Sequence, residues 1–180
     1  REGGGPYNGA TMVRDGELEE EPGYVTTAIT DDALAFIDRQ AGDDAPFYLS
    51  VHYTAPHSPW TGHPQEIVDS YDDCAFKSCP QEEMHPWAKG HPLSEGCLGN
   101  REMLKGYFAA VTAMDHDIGR ILDKLEEQGL REDTLVVFVS DNGFSCGHHG
   151  FWGKGNGTYP PNMYENSIKV PFVMSHPGRI

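Results

Sequence analysis

The chain has 180 residues, room for one ordinary domain or part of a larger one, and 38% apolar with 11% aromatic residues is enough to build a core. Its 28 acidic against 13 basic residues give a formal net charge of −15, a surface that repels phosphate backbones and argues against a nucleic-acid partner. No apolar run approaches the ~20 residues that a membrane span needs.

The chain opens on Arg1-Glu2-Gly3-Gly4-Gly5, with neither an initiator Met nor a signal peptide, and stops at Pro177-Gly178-Arg179-Ile180. Both ends read as cuts through a longer protein, so any targeting segment is expected outside this piece. Residues 1–25 are rich in Gly and Glu without a period and read as irregular. Thr30 reads as the N-cap of a helix from Asp31 to about Gln40, with Ala33, Phe36 and Ile37 on one face. Pro46 to Tyr53, rich in aromatics, reads as a strand.

From Thr54 to about Gly99 the text is crowded with Pro, His, Gly, Cys and Trp and shows no period; such a long irregular stretch suits a segment folded over a pocket. Within it Cys74 and Cys79 are spaced so that they could bridge in an oxidising compartment. The clearest helix runs from about Arg101 to Gln128, with Asn100 as cap and Gly129 as stop. Leu104, Phe108, Val111, Met114, Ile118, Ile121 and Leu125 recur at three and four and form its packing stripe. Thr134 to Ser140 is a continuous apolar run, suited to a strand buried on both faces of a parallel sheet. Val170 to Met174 is a further strand, with Pro171 at its start or at a sheet edge. Helices alternating with short strands imply an α/β fold.

In open α/β sheets ligands gather at the carboxyl ends of strands, and two strand ends here carry chemistry. One runs into Thr54-Ala55-Pro56-His57-Ser58-Pro59, the other into Asp141-Asn142-Gly143. Right-handed crossovers would place both ends on one rim. His57, stiffened by prolines on either side, suits proton donation to a leaving oxygen. Asp141 and Asn142 offer oxygens to a hard cation such as Ca²⁺ or Mg²⁺, although an ordinary Asp-Asn-Gly turn has the same text. Gly147-His148-His149-Gly150 and then Lys154 can approach an anion closely.

These motifs, in this order and over roughly residues 24–178, resemble the type I sulfatases of the alkaline-phosphatase superfamily; Asp115-His116-Asp117-Ile118-Gly119-Arg120 and Tyr164-Glu165 with Lys169-Val170-Pro171-Phe172 add to the match. The resemblance implies an alkaline-phosphatase-like, mostly parallel sheet flanked by helices, incomplete here, so that residues 1–180 form part of a catalytic domain. It implies a sulfuric ester hydrolase acting on a small-molecule sulfate or a sulfated carbohydrate. Asp141 and Asn142 would be ligands of Ca²⁺ or Mg²⁺, His57 and Lys154 the catalytic and sulfate-contacting pair, and His149 a further contact that His148 could replace.

The chain departs from the family in one respect. The C/S-x-P-x-R motif that yields the formylglycine nucleophile is absent: Cys74, Cys79, Cys97 and Cys146 all lack that context. The motif is expected upstream, and this piece alone is expected to be inactive. A phosphoesterase of the same superfamily and a noncatalytic binding module keeping the fold are the competing readings.

Overall fold

The computed structural model describes residues 5–43 and 45–180. Residues 1–4 of the stretch expected to be irregular, and Asp44 of the expected loop, lie outside the described residues. The chain divides into two compact units: one holds residues 1–73, 105–134 and 176–179, the other residues 74–104, 135–175 and 180.

The first unit opens with a hairpin where irregular structure was expected. Strand β1 (Asn8–Arg14) pairs antiparallel with β2 (Glu17–Tyr24). Asp15 and Gly16 form its turn with φ of 50° and 89°, the left-handed pair that a two-residue hairpin turn requires. Helix α1 (Val25–Gln40) follows at once, so Thr30 lies inside the helix and does not cap it. Its hydroxyl donates to the Thr26 carbonyl one turn earlier at 3.0 Å and meets the Tyr53 hydroxyl at 2.8 Å. Residues 47–53 are extended but join no ladder, so the expected strand there is not formed among the described residues.

The expected irregular stretch holds two short helices, α2 (Gln65–Asp69) and α3 (Pro92–Cys97), between long connections. Helix α4 (Arg101–Glu127) matches its expected span. The Asn100 side chain accepts from Glu102 N–H at 3.1 Å as its cap, and Leu130 N–H returns to Leu125 O at 2.8 Å across Gly129 to close it. Tyr7, Ala10, Val25, Ala55, Ala110 and Met114 form the core of the first unit, with Tyr53 and Ile118 packed on it.

Asp117 explains why the Asp-His-Asp-Ile-Gly-Arg run matters to this unit. Its carboxylate is buried, accepts from Thr27 of α1 at 3.0 Å and pairs with Arg120 at 2.7 Å; Arg120 reaches Asp31 at 2.5 Å. The run ties α4 to α1.

In the second unit, β3 (Val136–Val139) pairs antiparallel with β6 (Phe172–Ser175). The expectation of a run buried on both faces is not met: Val137 is 46% and Val139 54% exposed, and Phe172 and Val173 are equally open. Every ladder among the described residues is two-stranded and antiparallel, so the parallel pairing expected within this chain is not seen in it. The remaining pair, β4 (Ser145–Cys146) with β5 (Trp152–Gly153), carries buried Phe151 and Trp152, and helix α5 (Glu165–Ile168) lies beyond it.

Candidate active site

His57 belongs to the first unit. Its backbone is held on both sides: its N–H donates to Thr54 O at 2.9 Å and its carbonyl accepts from the Tyr7 hydroxyl at 2.8 Å. Burial, with Tyr24 nearby, pushes the Tyr7 phenol far above its ordinary range, so it stays a donor. Trp60 adds a third tie, its indole N–H donating to Pro56 O at 3.0 Å. The ring itself is exposed, and its Nδ1 lies 2.9 Å from the Ser58 carbonyl oxygen. A carbonyl can only accept, so Nδ1 carries hydrogen and Nε2 is the outward nitrogen.

The other four candidates lie in the second unit. Asp141 and Asn142 leave the end of β3 through Ser140, whose hydroxyl donates to the Asn142 carbonyl at 3.0 Å. The Asn142 amide nitrogen donates to Gly143 O at 3.0 Å, which leaves its Oδ1 outward. Among the described residues neither Oδ1 of Asn142 nor the exposed Asp141 carboxylate accepts a hydrogen bond. Two unengaged hard oxygens fit part of a Ca²⁺ or Mg²⁺ shell. A Ca²⁺ shell takes roughly six to eight oxygens, so most of it must come from other groups or water. Among the described residues no cluster of three or more His, Cys, Asp or Glu is arranged to hold a metal.

Gly147 to Phe151 form the tip of the β4–β5 hairpin, closed by Gly147 N–H on Phe151 O at 3.1 Å. The two histidines there do different things. His148 Nε2 lies 2.7 Å from Ser78 O, which occupies that ring in holding the neighbouring loop. His149 sits at φ 58°, left-handed for a side-chain residue, and its ring stacks on Tyr164 at 4.0 Å and 11°. Gly150 also has positive φ, 71°, and a side chain there would collide with the Glu83 carbonyl, while its own carbonyl accepts from His85 N–H at 2.9 Å.

Lys154 follows β5 and is half-buried, with no carboxylate in ion-pair reach among the described residues. Its backbone is set by Asn162, a residue that sequence reasoning missed. The buried Asn162 side chain donates to Thr158 at 3.1 Å and to Gly155 O at 3.2 Å, and accepts from Ser167 at 2.7 Å and from Tyr164 N–H at 3.3 Å. It thereby fixes both the turn after Lys154 and the residue beneath His149. Its partners lie up to eight positions away, so no local pattern announced it.

The Cys74–Cys79 bridge that the spacing allowed is not formed. All four cysteines are free, and Cys79 instead lies near Cys146, with the Gln81 amide bonded to the carbonyls of both.

A family model described as Sulfatase matches residues 4–180. The chain belongs to the sulfatase family. Relatives include the ulvan-active sulfatase of Formosa agariphila, 34% identical over 158 residues that cover 86% of this chain and 28% of that protein. The arylsulfatase of Clostridium perfringens is 32% identical over 174 residues, 89% of this chain and 34% of its own length. The chain thus spans about a third of these sulfatases.

Among solved structures, the yidJ protein of Bacteroides fragilis superposes with a TM-score of 0.73 at 26% identity, covering 91% of this chain and 33% of the other. BT4656, solved with its substrate D-glucosamine-2-N,6-O-disulfate, gives 0.75 at 22% identity, covering 95% and 47%. That likeness shows the fold alone. The sulfatase fold is the alkaline-phosphatase-like α/β architecture, of which this chain is a part.

Proposed function

We propose that the protein carrying this chain hydrolyses sulfate esters of small molecules or carbohydrates. In this reading Asp141 and Asn142 hold a divalent cation, Lys154 and His149 contact sulfate, and His57 is the general acid. Family membership over residues 4–180 and relatives named as sulfatases support the reaction class. The observation that carries the residue roles is a contrast. In a segment where the side chains of Asn162, Ser140 and His148 are all engaged in internal hydrogen bonds, those of Asp141 and Lys154 have no partner among the described residues.

A Ca²⁺ ion, or Mg²⁺ in its place, would supply positive charge to the sulfate oxygens when bound by those carboxylate and amide oxygens. Lys154 adds a compact cationic donor, which matters in a chain of net charge −15 that otherwise repels an anion. His57, with Nδ1–H turned to the Ser58 carbonyl, carries its second proton on Nε2 when cationic. It gives that proton to the ester oxygen as the S–O bond breaks, so an alcohol leaves instead of an alkoxide. Negative charge building on that oxygen is what both groups stabilise. In this reading the nucleophile is a formylglycine, and these 180 residues hold no C/S-x-P-x-R motif to yield one, so the proposal is that they do not turn over sulfate esters by themselves.

The test is hydrolysis of an aryl sulfate and of sulfated sugars by the full-length protein, with phosphate esters as comparators. His57→Ala and Lys154→Ala should each lower kcat/KM by about 100-fold or more. Asp141→Ala should weaken Ca²⁺ binding measured by titration calorimetry. Preference for phosphate esters, or undiminished sulfate turnover in Lys154→Ala, would overturn the reading.

A further inference from the structure

Cys79 and Cys146 are 67 positions apart in sequence, yet the fold of the second unit brings the two residues onto one side-chain amide, that of Gln81. Gln81 is the clamp that holds them there. Its side-chain amide donates to the Cys79 carbonyl at 2.9 Å and to the Cys146 carbonyl at 2.8 Å. Its oxygen accepts from Gly99 N–H at 2.9 Å and from the Trp152 indole at 3.4 Å. Gly147 leaves room for this: a side chain at that position would run into the Gln81 amide.

The two thiols are unequal. Cys146 is 3% exposed, and its interaction with Cys79, with burial second, pushes its thiol far above the ordinary range, so it keeps its proton. Cys79 is half-buried, and the S–H of Cys146 directed at it lowers its thiol to about 7, with Ser78 assisting. Cys79 also lines a cleft of about 450 Å³, along with Phe76, Lys77, Gln81 and Arg101, so a small reagent can reach it from solvent. Two cationic side chains on that lining suit an anionic reagent.

We propose that Cys79 is a thiol–disulfide exchange site for small anionic disulfides of the glutathione type, and that Cys146 is its resolving partner. The Cys79 thiolate attacks one sulfur of glutathione disulfide. A Cys79–glutathione bond forms, the reagent's S–S bond breaks, and one glutathione thiolate leaves with the electron pair and takes a proton from solvent. Cys146 then gives its proton to solvent and attacks Cys79 Sγ, forming the Cys79–Cys146 bond and expelling the second glutathione. The protein thiols lose two electrons, and the reagent gains them as two glutathione molecules. The product ties the loop around Gln81 covalently to the hairpin that carries His149.

The experiment is incubation of the full-length protein with glutathione disulfide, followed by peptide mapping without reduction. The expected result is one linked peptide pair joining Cys79 to Cys146, with Cys74 still alkylatable. In Cys146→Ser the resolving step is lost, so a stable glutathione adduct should collect on Cys79. Cys74→Ser should leave both results unchanged. A bridge through Cys74 or Cys97, or free Cys79 in both the unsubstituted protein and Cys146→Ser, overturns the proposal.

Discussion

Replacing Gly106 by alanine puts a methyl group into the backbone of Trp60. The added carbon would collide with the Trp60 carbonyl oxygen and stand 2.8 Å from both its carbonyl carbon and its Cβ. Backbone cannot swing aside as a flexible side chain can, so α4 and the Trp60 segment must part. Two effects oppose each other. Alanine is favoured over glycine inside a helix by about 1 kcal/mol, whereas overpacking a filled site costs about 1–3 kcal/mol, and backbone contact belongs at or above the top of that range. Gly106→Ala should therefore destabilise by about 2 kcal/mol or more net.

Gly119, in the same helix, is the control. A Cβ there meets nothing within 4 Å, so Gly119→Ala should stabilise by about 0.5–1 kcal/mol. The assay is urea denaturation of the full-length protein, comparing midpoints at constant slope. The function should follow, because Trp60 holds Pro56 beside His57 through its indole N–H. Gly106→Ala should lower kcat for sulfate hydrolysis at temperatures where it is folded, and Gly119→Ala should not. Equal stability of the two variants would refute the close-approach argument.

Lys154→Arg should recover less than a tenth of the activity lost in Lys154→Ala, because a planar fork does not reproduce a compact ammonium; steady-state kinetics on an aryl sulfate checks this. Asn162→Ala removes a buried amide with five polar partners and should cost about 2–4 kcal/mol in denaturant unfolding, since several of them are left unsatisfied. It should lower kcat as well, because the turn after Lys154 and Tyr164 lose their common anchor. Alkylation of Cys79 by iodoacetamide should follow the thiolate. With its thiol lowered to about 7, the rate rises with pH and is half-maximal near pH 7, whereas an unperturbed thiol would still be mostly protonated there. Cys146→Ser weakens the donor and should move that midpoint upward, measured by mass spectrometry of the Cys79 peptide.

The parts that could be read from the chain were those whose physics is local. Helix α4 announced itself through a stripe at three and four, an Asn cap and a closing Gly, and its span is nearly as expected. The irregular stretch after Thr54 is largely irregular. The β1–β2 hairpin escaped because β2 holds four Glu and a single aliphatic side chain, Leu18, so no alternation betrays it, although Asp15-Gly16 is a hairpin turn signal. Thr30 misled because its capping chemistry is spent inside α1, on Thr26 and Tyr53. Pro46 to Tyr53 has strand composition, but a ladder needs a neighbour, and composition does not say whether one is present. In the candidate site the residue types stood in plain text, while their division of labour did not. Two adjacent histidines look alike until one is seen bonded to Ser78 and the other stacked on Tyr164. Cys79 and Cys146, far apart in the text, could be joined only by the fold.

The β3–β6 ribbon has a practical consequence. Phe138, Val139, Phe172 and Val173 turn greasy faces to water, and Leu135 and Ile168 extend that wet, sticky band at its margins. A two-stranded ribbon with bare edges and oily sides invites any second ribbon to dock on it. Produced by itself, the 180-residue polypeptide should clump as its concentration rises, and charge repulsion from its many carboxylates is the main force holding copies apart. Dilute, low-salt handling would preserve that repulsion, and physiological salt would weaken it.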